Sequence, residues 1–265
     1  MNIDKLIIDS IETVLGVNKT TGELMLMLDQ LKDGSLECAH DTVWMTGRQG
    51  VQLAGFDRNK TSTFSCNNAY VVTGALAAQI GSEVVEASEG DALVVPDYFE
   101  RITVSSNTAT LEFTPVGTTG AEVPFVWRVN SDGSQGEKLE AAVSATTGKF
   151  KVDAKSKTLT FADGDFEDGA EIYVLYDYEV VSGRKIINSG EKFSTTCRLI
   201  IDLVLRDSCD TSIRYHGKLV FPNAKIDGNF SISIGDEPAV HAFSAQAMVD
   251  FCSKDKTLWD LYVVE

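Results

Sequence analysis

Residues Phe221–Phe251, FPNAKIDGNFSISIGDEPAVHAFSAQAMVDF, decide the fold class, because apolar side chains recur at every second position on both sides of a turn. Phe230, Ile232 and Ile234 fall on one face and Ser231 and Ser233 on the other; beyond Gly235-Asp236-Glu237-Pro238, Phe243, Ala245, Ala247, Val249 and Phe251 alternate with Ser244, Gln246, Met248 and Asp250. A period of two is that of a strand with one face in a core and one outside it. The outer face is small and polar, and it carries no recognisable chemistry. Strands this plain serve packing or assembly, since catalytic groups tend to sit on loops that a scaffold positions.

The same reading extends along the chain. Thr13–Val17 and Glu23–Leu28 flank Asn18-Lys19-Thr20-Thr21-Gly22, a hairpin signal, with a short helix over Ile3–Leu15 as the competing reading of the N-terminus. Val51–Asp57 and Thr61–Cys66 form a second strand pair around Arg58-Asn59-Lys60, whose polar tip is expected to be exposed. The clearest helix is AYVVTGALAAQIG, capped by Asn67 or Asn68 and closed by Gly81, with Val72, Leu76 and Ile80 on one face and small residues around them for flat packing on a sheet. Ala92–Val95, Arg101–Val104, Ala109–Phe113, Glu171–Val180 and Thr195–Arg206 complete the strand set. The fold class is mainly β, an antiparallel sandwich or barrel-like fold with one packed helix. Texture changes after Val116-Gly117-Thr118-Thr119-Gly120, so 121–183 is read as an inserted β module in a domain made of 1–120 and 184–265.

Composition narrows the function. Twenty-three Lys and Arg against 39 Asp and Glu leave a net charge of −16, which argues against holding nucleic acid on a basic surface but not against letting DNA pass without sticking. No apolar run long enough to anchor in a membrane occurs, and the N-terminus lacks the pattern of a secretory signal, so a cytoplasmic folding environment is expected. The five cysteines, Cys38, Cys66, Cys197, Cys209 and Cys252, form an odd set without CxxC spacing, as reduced thiols would.

Candidate chemistry is sparse. Cys38 and His40 lack the second ligand pair of a metal site. The loop Asp163, Asp165, Glu167 and Asp168 opens like a calcium loop but has Val174 where the bidentate glutamate belongs, leaving an acidic turn. None of the three histidines lies in a nucleophile motif, and no phosphate-binding glycine loop is present, so neither enzyme activity nor a cofactor is expected. The scattered Trp44, Trp127 and Trp259 suggest no aromatic platform of the kind a carbohydrate-binding sandwich needs.

Three passages carry a resemblance. GVQLAGFDRNKTSTFSCNNAYVVTGALAAQIG (50–81), FPNAKIDGNFSISIG with HAFSAQAMVDF, and TTGKFKVDAKSKTLTFADGDFEDGAEIYVLYDYEV (146–180) resemble the major tail tube proteins of tailed bacteriophages and strand motifs of phage structural proteins. The resemblance implies a virion tail protein assembled in the host cytoplasm, forming hexameric rings that stack into a tube through which DNA moves without specific binding. It also implies, as partners, copies of itself, a tape measure protein, a tail terminator, baseplate or tail-tip proteins, and a sheath if the tail contracts. A head decoration, capsid or fibre protein is the alternative. It assigns no role to individual positions. From the residues themselves, the polar turns Asn18, Lys19, Thr20 and Asp57, Arg58, Asn59, Lys60 are candidates for contact between rings, and Ser244, Gln246 and Asp250 for the lumen or a neighbouring subunit.

Overall fold

The computed structural model describes residues 5–232, 240–250 and 256–264. In chain order the strands are β1 (Leu6–Val17), β2 (Leu24–Leu28), β3 (Leu31–Thr46) and β4 (Gln52–Asn68), then the helix α1 (Thr73–Ile80) and β5 (Val84–Glu86). There follow β6 (Leu93–Thr103), β7 (Thr108–Thr110), β8 (Pro115–Val116), β9 (Phe125–Val129), β10 (Gln135–Ala141), β11 (Lys149–Asp153), β12 (Thr158–Thr160) and β13 (Glu171–Val180). The chain ends with β14 (Arg184–Ile186), β15 (Thr196–Asp207), β16 (Arg214–Ile226), β17 (His241–Ala247) and β18 (Asp260–Val264). The protein is mainly β, with largely antiparallel sheets and, among the described residues, one α-helix.

Two compact units divide the chain, one made of residues 1–84 with 186–265 and the other of 85–185. The unit that holds 121–183 also takes in 85–120, because β6 pairs along nearly its whole length with β13 and the two strands share one core.

In the first unit the strand order is β2-β1-β15-β16-β17-β4-β3, with β18 on the first half of β16. Alternation sets the core face: Cys197, Leu199, Ile201 and Leu203 of β15 and Phe243, Ala245 and Ala247 of β17 are buried in one cluster with Val14, Leu26, Phe64 and Phe221. Burying a phenylalanine such as Phe221 or Phe243 contributes roughly 2–3 kcal/mol. The strand expected at Phe230–Ile234 is described only as far as Ile232, which makes a single bridge to His241; the rest of that strand, the turn at 235–238 and Phe251 lie outside the described residues. The neighbour of β17 on that side is instead β16, which stops where Asp227 turns the chain by accepting the backbone N–H of Asn229 at 2.9 Å. A carboxylate bonding two residues on is an Asx turn, which competes with strand pairing.

The N-terminus is β1 and not a helix, since Val14 and Leu15 pair with Leu28 and Met27 on one side and Ile201 and Ile200 on the other. Its sequence, LIIDSIETVLGV, is rich in β-branched residues whose stiff side chains suit a pleated surface. The helix begins later than expected. Asn68 ends β4 and does not cap α1: its side chain accepts from Gln30 N and donates to Tyr70 O, while Asn67 bonds Asp33. Gly81 closes α1 in the left-handed conformation, φ 73°, with its N–H on Ala77 O. The buried side is Ala75, Ala77, Ala78, Gln79 and Ile80, and the small residues allow close approach: a side chain at Gly74 would begin 2.7 Å from Met25 O of β2.

The second unit pairs its strands in the order β6-β13-β9-β10-β11-β12-β7, and its two end strands follow each other in the chain through the turn Ser105–Thr108, which a single bridge closes. Ser106 and Asn107 in that turn both have positive φ, as a tight hairpin demands. The acidic loop holds it there: Asp168 accepts Ser106 N at 2.6 Å and Asp163 accepts the Asn107 side-chain amide at 2.6 Å. Asp165, buried, accepts Gly148 N at 3.1 Å. These carboxylates act as turn fasteners.

Gly81 is the position where one methyl group does most damage, since φ 73° disfavours any other residue and a Cβ would strike the backbone of Phe193. Gly81→Ala is expected to destabilise the first unit by about 1–3 kcal/mol, read as a lowered urea midpoint.

Candidate functional site: an exposed hairpin arm and a small polar sheet face

The hairpin of β3 and β4 is longer than the sheet that supports it. β17 pairs only with Thr63–Asn68 of β4, so from Ala39↔Thr61 to Thr46↔Gln52 the two strands have only each other among the described residues. This free ribbon runs eight residues on β3 and ten on β4 up to a turn at Arg48–Gly50, where Gln49 and Gly50 take positive φ; it spans roughly 25 Å at ~3.4 Å per residue.

The Asp57–Lys60 segment, expected at a hairpin tip, lies partway along this ribbon at a bulge, and the tip is Gly47–Val51. The register shifts between Ala39 and Asp41 and Asn59 takes φ 53°, so an extra residue is absorbed there. Asn59 donates to Asp41 at 3.0 Å, and Asp57 accepts from Thr42 at 2.8 Å and faces His40 at 3.7 Å. The run Arg58-Asn59-Lys60 has the composition of a turn, which hides the continuity of the strand.

Both faces of the ribbon carry exposed apolar side chains. Val43 stands opposite Phe56, with Met45 beyond, and all three are about half exposed. On the other face Trp44 lies across Gly55, where a Cβ would be 2.9 Å from the indole, and Leu53 lies across Gly47. Trp44 and Leu53 are 52% and 61% exposed. An isolated two-stranded ribbon is marginal in water, and an apolar one with open edges invites pairing. The sequence signal for this arm was the dense run VWMTGRQGVQLAGF, whose glycines interrupt any simple periodicity.

Where β4 rejoins the sheet, the face away from the core is a lattice of small polar residues. Glu37, Thr63, Gln246 and Lys225 lie in one cross-strand row, and Ser35, Ser65 and Ser244 in the next. Ser244 also donates to Asp227 at 3.2 Å. The structure thus places Ser244 and Gln246 on one surface with residues of β3 and β4 that were not singled out from the sequence, because cross-strand register is invisible in it. Asp250 is elsewhere. It pairs with Lys19 at 3.1 Å, and Lys19 also donates to Asn223, so the turn after β1 is tied to the segment after β17. Within that turn Asn18 accepts the N–H groups of Thr20 and Thr21.

Cys38, His40 and His241 have structural partners. Cys38 contacts Ser62 Oγ at 3.3 Å, and Ser62 also accepts from the Trp259 indole. Burial pushes the thiols of Cys66 and Cys197 up to about 12 and 11, which makes them poor nucleophiles. Among the described residues no group of three metal-ligating side chains occurs, and no helix is long and apolar enough to cross a membrane.

The arm is thus apolar on both sides and joins a small, polar sheet face. A family model described as the YomU/Tube protein family matches residues 6–260, and the chain belongs to that family. It is a tube-type structural protein. No curated protein matches the chain.

His241, fully buried, supplies a pH test of the first unit. Its Nε2 meets Gln79 Oε1 at 2.6 Å, Nδ1 has no partner among the described residues, and burial holds the imidazole below its ordinary value. The unfolded chain takes up this proton below pH ~6.5 and the folded one resists, so the stability is fully present above that pH and is lost as pH falls through the lower folded value. The melting temperature should drop between pH 7 and pH 5, and His241→Leu should flatten that slope.

Proposed function

We propose that this protein is the major structural subunit of a phage tail tube, assembling as hexameric rings that stack into a conduit for genome delivery. The observation that carries the reading is the β3–β4 arm, whose two apolar faces are exposed and have no partner among the described residues. An arm of this kind reaches a neighbouring subunit, and burial of Trp44, Leu53, Val43, Met45 and Phe56 there supplies the energy of stacking. The bulge residues Asp57, Arg58, Asn59 and Lys60 lie on the same arm and set its twist. The turn Asn18, Lys19 and Thr20 remains a second contact between rings.

Ser244 and Gln246, with Ser35, Ser65 and Thr63, form the surface assigned to the lumen or to a flanking subunit. Short polar side chains offer little to grip a phosphate backbone, Lys225 of the same row is engaged by Ser194 O, and the −16 charge of the chain adds repulsion that acts within about 8 Å of the wall at physiological salt. Asp250, engaged by Lys19, contributes to this surface only by fixing the chain beside it. Partners follow from the reading: further copies of the chain, a tape measure protein, a tail terminator, baseplate or tail-tip proteins, and a sheath if the tail contracts, with the assembled protein in the virion tail.

The combined substitution Trp44→Ser, Leu53→Ser and Phe56→Ser should abolish tubes in negative-stain micrographs while the melting temperature of the subunit stays within a few degrees of the parent. Tubes of normal length from that variant would overturn the role of the arm, and capsomer-bound or trimeric particles from the parent would favour a head or fibre protein. Glu37→Lys with Gln246→Lys should slow genome ejection at least severalfold while tubes still form; unchanged ejection kinetics would remove this face from the lumen.

A further inference from the structure

The turn after β1 sets Lys19 against two side chains from distant parts of the first unit. Lys19 Nζ donates to Asn223 Oδ1 at 3.2 Å and to Asp250 Oδ2 at 3.1 Å. An amine, a carboxamide and a carboxylate thus meet at one point, although Asn223 and Asp250 lie 204 and 231 residues further along the chain. The carboxamide carbon of Asn223 is one bond, about 1.2 Å, beyond the oxygen that Nζ touches.

Backbone geometry holds each member of the set. Val17, the last residue of β1, pairs with Arg198 of β15, and Arg198 lies between the pairs Cys197↔Ala224 and Leu199↔Phe221. Pro222 and Asn223 of β16 therefore oppose a single residue, which is a β-bulge, a device that re-aims a side chain. The Asn223 carbonyl accepts the N–H of Met248 at 2.8 Å, so the segment after β17, Asp250 included, runs beside the bulge. On the other side Asn18 closes the turn that carries Lys19: its side chain accepts the N–H groups of Thr20 and Thr21, and its carbonyl accepts that of Gly22 at 2.9 Å. The side chains of Lys19 and Asp250 are 32% and 30% exposed, so most of each is covered.

We infer that this is an autocatalytic cross-linking site, where the Lys19 amine and the Asn223 carboxamide condense to an intramolecular amide bond with Asp250 as proton carrier. The Asp250 carboxylate takes a proton from the Lys19 ammonium, and the freed amine attacks Asn223 Cγ. The Nζ–Cγ bond forms as the carbonyl electron pair moves onto Oδ1, and the return of that pair breaks the Cγ–Nδ2 bond. Two protons pass from Nζ by way of Asp250 to the departing nitrogen, which leaves as ammonium. No oxidant, reductant or co-reactant is consumed. An ion pair needs only Asp250; the carboxamide held against the same nitrogen by a bulged strand supplies the electrophile. Contact between aligned reactants is worth an effective concentration of up to roughly 10⁵–10⁸ M, which is what attack on an unactivated amide requires. The product ties the β1–β2 hairpin covalently to β16, and a bond that closes so long a loop restricts the unfolded chain. The inference holds whether or not the chain forms a tube.

The test is the intact mass of the purified full-length chain under denaturing conditions, followed by peptide mapping. The expected mass is lower than that of the sequence by one ammonia, about 17 Da, with a branched peptide that joins Lys19 to Asn223. Lys19→Arg keeps a positive charge beside Asp250 but has no free amine to attack with, so it should show the full mass and a lower melting temperature. Asp250→Asn should leave most of the freshly purified chain at full mass. If either variant does not fold, the branched peptide of the parent carries the test. A parent that keeps its full mass after prolonged incubation at physiological temperature overturns the site and leaves an ion pair only. Loss of ammonia that persists in Lys19→Arg, or that maps to another residue, overturns it as well. Complete cross-linking in Asp250→Asn removes Asp250 from the reaction.

Discussion

Everything in the first unit depends on where β4 changes partners. From Thr63 to Asn68 it lies between β3 and β17, and its inner side chains, Phe64 and Cys66, enter the core beside Phe243 and Ala245. Before Thr63 its strand partner among the described residues is β3 alone. A strand inside a sheet has both edges satisfied and one face dry, while a two-stranded ribbon has two wet faces and two open edges. The same seventeen-residue strand therefore serves as scaffold at one end and as an unpartnered arm at the other.

That division explains why apolar residues on the arm are tolerable. Trp44, Leu53, Val43, Met45 and Phe56 would be an aggregation hazard in a protein that stayed a monomer. In a chain of the YomU/Tube family they read as surface awaiting a neighbour. The bulge at Asn59 re-aims the ribbon, and its polar contacts to Asp41 and Thr42 keep the two strands in register where no sheet supports them.

The second unit links its two end strands, β6 and β7, through a tight turn that Asp163 and Asp168 fasten. One outward face of its sheet carries Phe99, Tyr173, Trp127 and Phe125. Two units in one chain thus expose aromatic surface, one on a two-stranded ribbon and one on a sheet face.

Period-two alternation made β15 and β17 legible from residues alone, because a half-buried strand writes its core face directly into the order of Cys197, Leu199, Ile201 or Phe243, Ala245, Ala247. The single helix was legible for a similar reason, with Gly81 marking its end, although its start was displaced because Asn68 found partners in Gln30 and Tyr70. The arm was not legible: Arg58-Asn59-Lys60 has the composition of a turn, and only the pairing of β4 with β3 shows the strand running through it. Nor was the row of Tyr173 and Trp127, which lie 46 residues apart and become neighbours by register. The sequence by itself determined which residues alternate and hence that the protein is built of half-buried strands. Tertiary structure alone decided which strands are adjacent, and so which exposed side chains share a surface, because hydrogen-bonded register joins residues whose separation along the chain carries no trace of it.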